Sequence, residues 1–149
     1  MKSLSVKLGT ILIGLIIFGC AHERQVEWKM LCEYDEGIML YAADKVTACS
    51  RDTVRVWTRL RYNSAFVSKM VKKYGHEFLG AAYSEQLIDV NCAEHKIMLL
   101  DNYMFSNKSE LLMHTPPKAE WIFTPPESPM EYLYKEVCPL PEFRDGIEH

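Results

Sequence analysis

The sequence has no apolar run long enough to form a membrane-spanning helix. Its main apolar run, Leu8 to Phe18, has eleven residues, whereas a helix that crosses a bilayer needs about 20. The sequence also has no GxSxG motif, no glycine-rich phosphate loop and no CxxC pair. Because those motifs carry the chemistry of hydrolases, nucleotide-binding enzymes and zinc sites, we predict that the protein is not an enzyme. We assign no catalytic residue, no metal ligand and no cofactor, since the five histidines also follow no ligand spacing.

The sequence also has no excess of positively charged residues. The chain has 149 residues, with 17 Lys and Arg against 20 Asp and Glu and a formal net charge of -3. This balance excludes a nucleic-acid partner that is held by bulk charge. Apolar residues make up 48% and aromatic residues 11% of the chain, which is enough to build a core and excludes intrinsic disorder. The length favours one compact domain.

The N-terminus has the pattern of a secretion signal. Two lysines, Lys2 and Lys7, precede the apolar run, and a small residue and Cys20 follow it. A charged start, a short apolar centre and a small residue at the cleavage site are typical of a cleaved signal peptide. We therefore predict a secreted protein.

The residues around Cys20 resemble a lipobox, the cleavage and lipidation signal of bacterial lipoproteins. Ile17, Gly19 and Cys20 match that pattern, although Phe18 is larger than usual. The resemblance implies cleavage before Cys20 and attachment of fatty chains to it, with Ala21 favouring the outer membrane. The alternative is an ordinary signal peptide or short N-terminal anchor in which the cysteine is incidental. The predicted localisation is the cell envelope, as an outer-membrane lipoprotein that is exposed at the surface or faces the periplasm.

These observations divide the chain into four parts. We predict a lipoprotein signal peptide over 1–19, a lipidated tether over 20–26, one folded domain over 27–138 and a C-terminal tail over 139–149.

Four cysteines remain once Cys20 carries lipid. They are Cys32, Cys49, Cys92 and Cys138. An even number of cysteines in an oxidising compartment predicts two disulfides, for which three connectivities are formally possible. We favour Cys32 with Cys49 and Cys92 with Cys138, because each bridge then ties neighbouring parts of the chain.

Hydrophobic periodicity and turn residues predict strands that alternate apolar and polar side chains, and two helices with serine or asparagine at their starts. The first helix carries apolar residues at three- and four-residue spacing up to Phe78, and the second has Tyr132, Leu133 and Val137 facing inward. The predicted strands cover 25–34, 38–43, 53–62, 84–92, 96–105 and 110–113, and the predicted helices cover 64–78 and 129–138.

The strand over 53–62 supplies the candidate binding face. Its alternation places four side chains on one side: Arg55, Trp57, Arg59 and Arg61. Three guanidinium groups and an indole could bind an acidic protein patch or an anionic glycan through bidentate contacts and stacking. The alternative, which we favour, is that cross-strand carboxylates pair with these arginines while Trp57 packs beneath a helix.

The proline-rich segment from Thr115 to Ser128 has two interpretations. Extended chain of this kind can present a recognition strip, because it has little conformational entropy left to lose on binding. Alternatively, Trp121 and Phe123 close the core, which is the interpretation we favour.

The order of these segments resembles the surface-adhesin protein E-like lipoproteins. The resemblance covers Glu27 to Cys138, begins with a tryptophan-led strand, and rests on the segments LYAAD (40–44), VRVWTR (54–59), IDVNC (88–92), WIFTPPES (121–128) and LYKEVC (133–138). It implies an antiparallel sheet packed on helices, and the cysteine pair of this family corresponds to Cys92 and Cys138. Together with the predicted elements, the fold class is α+β, with about five to six antiparallel strands packed against a central helix and a C-terminal helix.

The same resemblance implies a cell-envelope binding module without catalysis. Its expected partners are the membrane, through the N-terminal lipid, and a host, matrix or envelope protein or an anionic polymer. We expect a monomer or a homodimer. The alternative function is a structural or accessory periplasmic lipoprotein of an envelope or electron-transfer assembly.

Overall fold

A computed structural model describes residues 25–116 and 118–138. The predicted signal peptide, Cys20 and the predicted tail over 139–149 lie outside the described residues, so the division of the chain into four parts stays a prediction. Among the helices of the described residues, none combines the length and the apolar character that crossing a membrane requires.

The described residues form eight strands and two α-helices, which confirms the α+β class. Six strands follow the order β1-β2-β4-β5-β6-β7 with antiparallel pairing, while β3 pairs with β4 and β8 pairs with β6. The count exceeds the predicted five to six because β3 and β8 have only two residues each. The elements are β1 Trp28–Tyr34, β2 Gly37–Ala42, β3 Thr47–Ala48, β4 Thr53–Tyr62, α1 Ser64–Tyr74, β5 Ala81–Asn91, β6 Lys96–Ser106, β7 Leu111–Thr115, β8 Ile122–Phe123 and α2 Pro129–Val137.

The centre of the sheet follows from the alternation in β4. Val54 and Val56 are fully buried and lie opposite Val90 and Ile88 of β5. Apolar side chains at every second position of both strands produce one continuous buried face. The β5–β6 hairpin closes at Asn91, whose side-chain oxygen accepts hydrogen bonds from the backbone amides of Ala93 and Glu94 at 3.1 and 2.9 Å.

Both helices begin at the predicted caps. The Asn63 side chain accepts a hydrogen bond from the backbone amide of Phe66 at 2.8 Å, and Ser128 caps α2 with Pro129 at its first turn. The first helix ends at Tyr74 rather than Phe78, because Gly75 adopts a φ of 126°, which a helix cannot continue. The following residues, His76–Phe78, form a short 3₁₀ turn.

Both helices cover the same face of the sheet. α2 contributes Leu133 and Val137 to a core cluster with the β4 and β5 valines, and α1 contributes Met70 to a second cluster beside Tyr62 of β4. Val54 and Tyr62 are both even-numbered positions of β4 and therefore share a face. The prediction that Tyr132 faces inward is wrong, since its side chain is 45% exposed.

The preferred interpretation of Trp121 and Phe123 as core residues is also wrong. Trp121 is 38% exposed and Phe123 is 72% exposed, and β8 attaches to the sheet only through the first residues of β6. The short, proline-flanked strand lies at the margin of the sheet, where no described helix covers it.

One of the two predicted disulfides is present. Cys92, directly after β5, is bonded to Cys138, directly after α2, across 46 residues of sequence. This bridge ties the second helix to the centre of the sheet, and its residues pack against the larger core cluster.

The predicted bridge between Cys32 and Cys49 is wrong, because neither thiol is bonded to another described residue. Cys32 pairs with Met39 of β2, which in turn pairs with Leu60 of β4. Cys49 directly follows Ala48 of β3, which pairs with Val54 of β4. Six residues of extended strand separate those two levels, or about 20 Å. A disulfide needs Cα atoms within about 7 Å of each other.

The cap of α1 gives a first testable prediction. Asn63→Ala should lower the free energy of unfolding by about 1 kcal/mol, because it removes the cap and also the hydrogen bond that the Asn63 amide donates to the Asp35 carbonyl at 2.9 Å. Urea denaturation measures the change. Asn107→Ala is the control, since the Asn107 side chain makes no hydrogen bond in the described part of the chain, and a loss of equal size there would contradict the capping role.

Candidate functional site

The structure places all four candidate side chains of β4 on one face of the sheet. Arg55, Trp57, Arg59 and Arg61 alternate with buried residues and point away from α1 and α2. We call this side the open face: these four residues and their neighbours on the adjoining strands. The interpretation that Trp57 packs beneath a helix is therefore wrong, because both helices lie on the opposite side.

Arg55 forms a bidentate ion pair across the sheet. Its Nε and Nη2 donate to the two carboxylate oxygens of Asp89 at 2.7 and 2.9 Å, and the two residues are direct neighbours on β4 and β5. These hydrogen bonds raise the pKa of Arg55. The Asp89 side chain is only 8% exposed, and the ion pair with Arg55 stabilises its negative charge away from water.

Arg59 is held by a carboxylate and two aromatic rings. It donates to Glu85 of β5, and its guanidinium lies 4.1 Å from the ring centre of Trp28 and 4.9 Å from that of Tyr83. Stacking on aromatic faces adds to the ion pair and fixes the orientation of the guanidinium. The cross-strand pairing that we favoured from the sequence thus occurs at Arg55 and Arg59.

Arg61 differs from the other two arginines. It is exposed and makes no ion pair with any described residue. It lines a groove of about 560 Å³ together with Ser64 and Ser68 at the start of α1 and Tyr83 of β5. Of the three arginines in the candidate set, only Arg61 has a charge that no described carboxylate neutralises.

The open face also contains a pocket between two tryptophans. Trp28 and Trp57 form two of its sides, and its volume is about 220 Å³. Arg59 and Glu85, already paired with each other, supply polar groups, and Lys45 adds an exposed cation. Four strands contribute to this pocket or border it, because β1, β2, β4 and β5 follow one another in the sheet. The full lining is Val26, Trp28, Ala42, Lys45, Trp57, Arg59 and Glu85.

A second aromatic group extends the open face toward β7. Tyr103 lies 6.4 Å from Trp57 between ring centres and stacks on His114 at 4.5 Å. Asp101 accepts a hydrogen bond from the Tyr103 hydroxyl at 2.5 Å and contacts His114 Nε2 at the same distance. The Tyr103 hydroxyl, with a smaller effect of His114, holds the pKa of Asp101 below its usual range, and Asp101 raises the pKa of Tyr103.

Sequence reasoning missed these additional residues of the open face. Trp28, Tyr103 and His114 come from strands other than β4, and His114 is one of the five histidines that follow no ligand spacing. The alternation of Asp101 and Tyr103 within the predicted strand over 96–105 was a usable signal, since both then share a face. Their position beside Trp57 depends on the pairing of β4, β5 and β6, which periodicity does not reveal.

The open face combines charged groups with aromatic rings. Its polar groups are mostly paired with one another, and its aromatic rings lie side by side. Within 25–116 and 118–138, no three His, Cys, Asp or Glu side chains are grouped so that they could hold a metal ion. Arrangements of indole, phenol and guanidinium groups are typical of recognition surfaces.

Comparisons with known proteins identify the family. The sequence model of the family described as surface-adhesin protein E matches residues 28–139, which is more than half of the chain. The searches of curated proteins and of solved structures returned no significant match. The match confirms the resemblance seen in the sequence and indicates an adhesin-like surface protein with a non-catalytic role. The chain belongs to the surface-adhesin protein E family.

Proposed function

We propose that this chain is a lipid-anchored, adhesin-like module that recognises a protein partner through its open face. The observation that carries the proposal is the pocket between Trp28 and Trp57, with Arg59 held between aromatic rings beside it. Tryptophan, tyrosine and arginine are the residues that most often dominate the energy of protein interfaces. A pre-ordered pocket of this kind suits an apolar side chain of the partner, with the paired charges at its rim.

The charge balance supports a protein partner over an anionic glycan. A polyanion is bound by cations that are free to contact sulfate or carboxylate groups. Asp89 and Glu85 already neutralise Arg55 and Arg59. Arg61 and Lys45 remain, which is a small positive charge for a polymer but a normal one for the rim of a protein interface.

Removing the Trp57 indole is the direct test of this proposal. We expect Trp57→Ala to weaken binding at least about tenfold, because hot-spot truncations cost about 2 kcal/mol or more. The purified protein is immobilised and exposed to plasma and extracellular-matrix proteins, and the retained proteins are identified and titrated. Tyr74→Ala is the matched control, since it removes an exposed aromatic ring from α1 on the other side of the sheet.

Two outcomes would contradict the proposal. Equal retention of the same proteins by the wild type, Trp57→Ala and Tyr74→Ala would show that the open face does not mediate binding. Strong retention of the wild type on immobilised heparin, lost in Arg61→Ala, would favour an anionic glycan as the partner instead.

The lipid anchor and the surface location need their own measurement. We expect Cys20→Ser to release the protein from membranes, because the acylated residue is then missing. Protease added to intact cells should digest the wild-type protein. Resistance to digestion until the envelope is broken would contradict surface exposure and would favour the alternative function, an accessory periplasmic lipoprotein.

A further inference from the structure

Three consecutive large apolar side chains are exposed at one end of the sheet. Trp121 is 38% exposed, Ile122 52% and Phe123 72%. Successive side chains of a strand point to opposite faces, so Ile122 lies on the face of Ile97 while Trp121 and Phe123 share the other face. We call Trp121 and Phe123 the Trp121–Phe123 ridge. It is held to the sheet by two register pairs, Ile122 with Ile97 and Phe123 with Lys96. Exposed apolar side chains that lie next to each other mark a surface that gains free energy when something covers it.

The ridge lies at the end of the sheet at which the described chain begins. Phe123 pairs with Lys96 of β6, and Lys96 pairs with Asn91 of β5. Asn91 pairs in turn with Thr53, the first residue of β4, so Phe123 and Thr53 lie at the same end of the sheet. β1 is antiparallel to β2 and β2 is antiparallel to β4, so β1 runs parallel to β4. The described residues before Trp28, 25–27, therefore lie toward the level of Thr53 and the ridge.

The proposed lipid anchor is close to this end. Gln25, where the described chain begins, is the fifth residue after Cys20. Even fully extended, five residues span at most about 18 Å. If Cys20 carries lipid, as in the proposed function on which this inference rests, the bilayer surface lies within reach of the end that bears the ridge.

We propose that the Trp121–Phe123 ridge docks into the headgroup region of the phospholipid membrane in which the lipid anchor is inserted. Tryptophan and phenylalanine favour that interface, because their rings enter the acyl boundary while polar neighbours stay hydrated. Lys96 extends over the Phe123 ring with its Nζ 5.0 Å from the ring centre. Such a lysine can cover an aromatic ring with its aliphatic stem while its ammonium stays in water.

The charges near the ridge indicate a zwitterionic rather than an anionic lipid surface. Lys96 is paired with Glu94 at 2.6 Å, and the residue before Trp121 is Glu120. This balance leaves no excess of positive charge to attract anionic lipids. Docking therefore depends on the apolar side chains, and added salt should not weaken it.

Docking at this end would orient the binding site. The strands would then extend away from the membrane surface, with the start of β4 nearest to it. The open face would then extend away from the bilayer, with Arg61 farther from it than Trp57.

Quenching by brominated lipid tests the docking. The full lipidated protein is reconstituted into vesicles of phosphatidylcholine and phosphatidylethanolamine whose acyl chains are brominated. The chain has three tryptophans, namely Trp28, Trp57 and Trp121, and each is replaced by phenylalanine in turn. We expect the quenched part of the emission to remain in Trp28→Phe and Trp57→Phe and to be lost in Trp121→Phe. Phe123→Ser should reduce the quenching of Trp121.

The contrary results are distinct. If all the proteins fail to stay with the vesicles, the lipid anchor is wrong and the docking proposal fails with it. If the wild type stays with the vesicles and its emission is not quenched, only the docking proposal fails. A second copy of the chain on the ridge would also shield Trp121 from the bromine atoms, and a concentration-dependent dimer would identify that occupant. Quenching that persists in Trp121→Phe would show that another tryptophan faces the bilayer.

Discussion

Replacing both Cys92 and Cys138 with serine is expected to lower the free energy of unfolding by about 4 kcal/mol. The bridge closes a loop of 46 residues, and its loss releases the conformational entropy that it removes from the unfolded chain. It also joins the C-terminal end of α2 to the end of β5, where both cysteines pack against the larger core cluster. Because a domain is stable by about 5 to 15 kcal/mol, this loss brings the protein near the limit of folding. Urea denaturation under non-reducing conditions measures it.

The free thiols supply the control for this prediction. The double variant Cys32→Ser and Cys49→Ser removes the same number of sulfur atoms but no bridge within the described chain. Its free energy of unfolding should stay within about 1 kcal/mol of the wild type. A loss of about 3 kcal/mol, the value for a bridge that closes so short a loop, would mean that these two cysteines are bonded to each other and would overturn the arrangement described above.

Leu133→Ala should destabilise the protein by about 3 kcal/mol. The Leu133 side chain is fully buried and lies among Val54, Val56, Ile88 and Val90 in the larger core cluster. Truncation removes apolar contacts and leaves a cavity that the surrounding strands cannot close, since their positions are fixed by cross-strand hydrogen bonds. The measurement is the midpoint and slope of urea denaturation, with an unchanged slope showing that the folded state is intact.

The neighbouring residue in α2 provides a matched comparison. Tyr132 precedes Leu133 but points outward, so Tyr132→Ala should change the free energy of unfolding by about 0.5 kcal/mol or less. Similar losses for the two variants would mean that α2 does not pack on the sheet through Leu133. Such a result would also be inconsistent with a disulfide that joins the end of α2 to the end of β5.

Local signals in the sequence were sufficient for most of the secondary structure. The bounds of β4 were predicted to the residue, since its alternation is continuous and Asn63 follows it as a helix cap. Ser128, Pro129 and Glu131 likewise define the start of α2. Errors occurred where a weaker local signal competed, as at Gly75, whose backbone conformation ends α1 before the apolar periodicity does.

Predictions that depended on distant contacts were less successful. Proximity in sequence favoured a bridge between Cys32 and Cys49, but the sheet places them at different levels of β4. Apolar character favoured burial of Trp121 and Phe123, but β8, which begins directly after Trp121, has only two residues at the margin of the sheet, and no described helix covers it. In both cases the residue type was a sound guide to the chemistry of the side chain, but the position of neighbouring strands and helices decided whether the side chain was bonded or buried.

The sequence by itself determined the family, the α+β class, the caps of both helices and the shared face of Arg55, Trp57, Arg59 and Arg61. These follow from residue type and from spacing within one segment, because backbone geometry converts a period of two or 3.6 directly into a face. Only the tertiary structure decided which face the helices cover, which carboxylates neutralise the arginines, and that Trp28 forms a pocket with Trp57. Those properties depend on strand order and register, which are set by contacts between distant segments and so leave no periodic signal in any one of them.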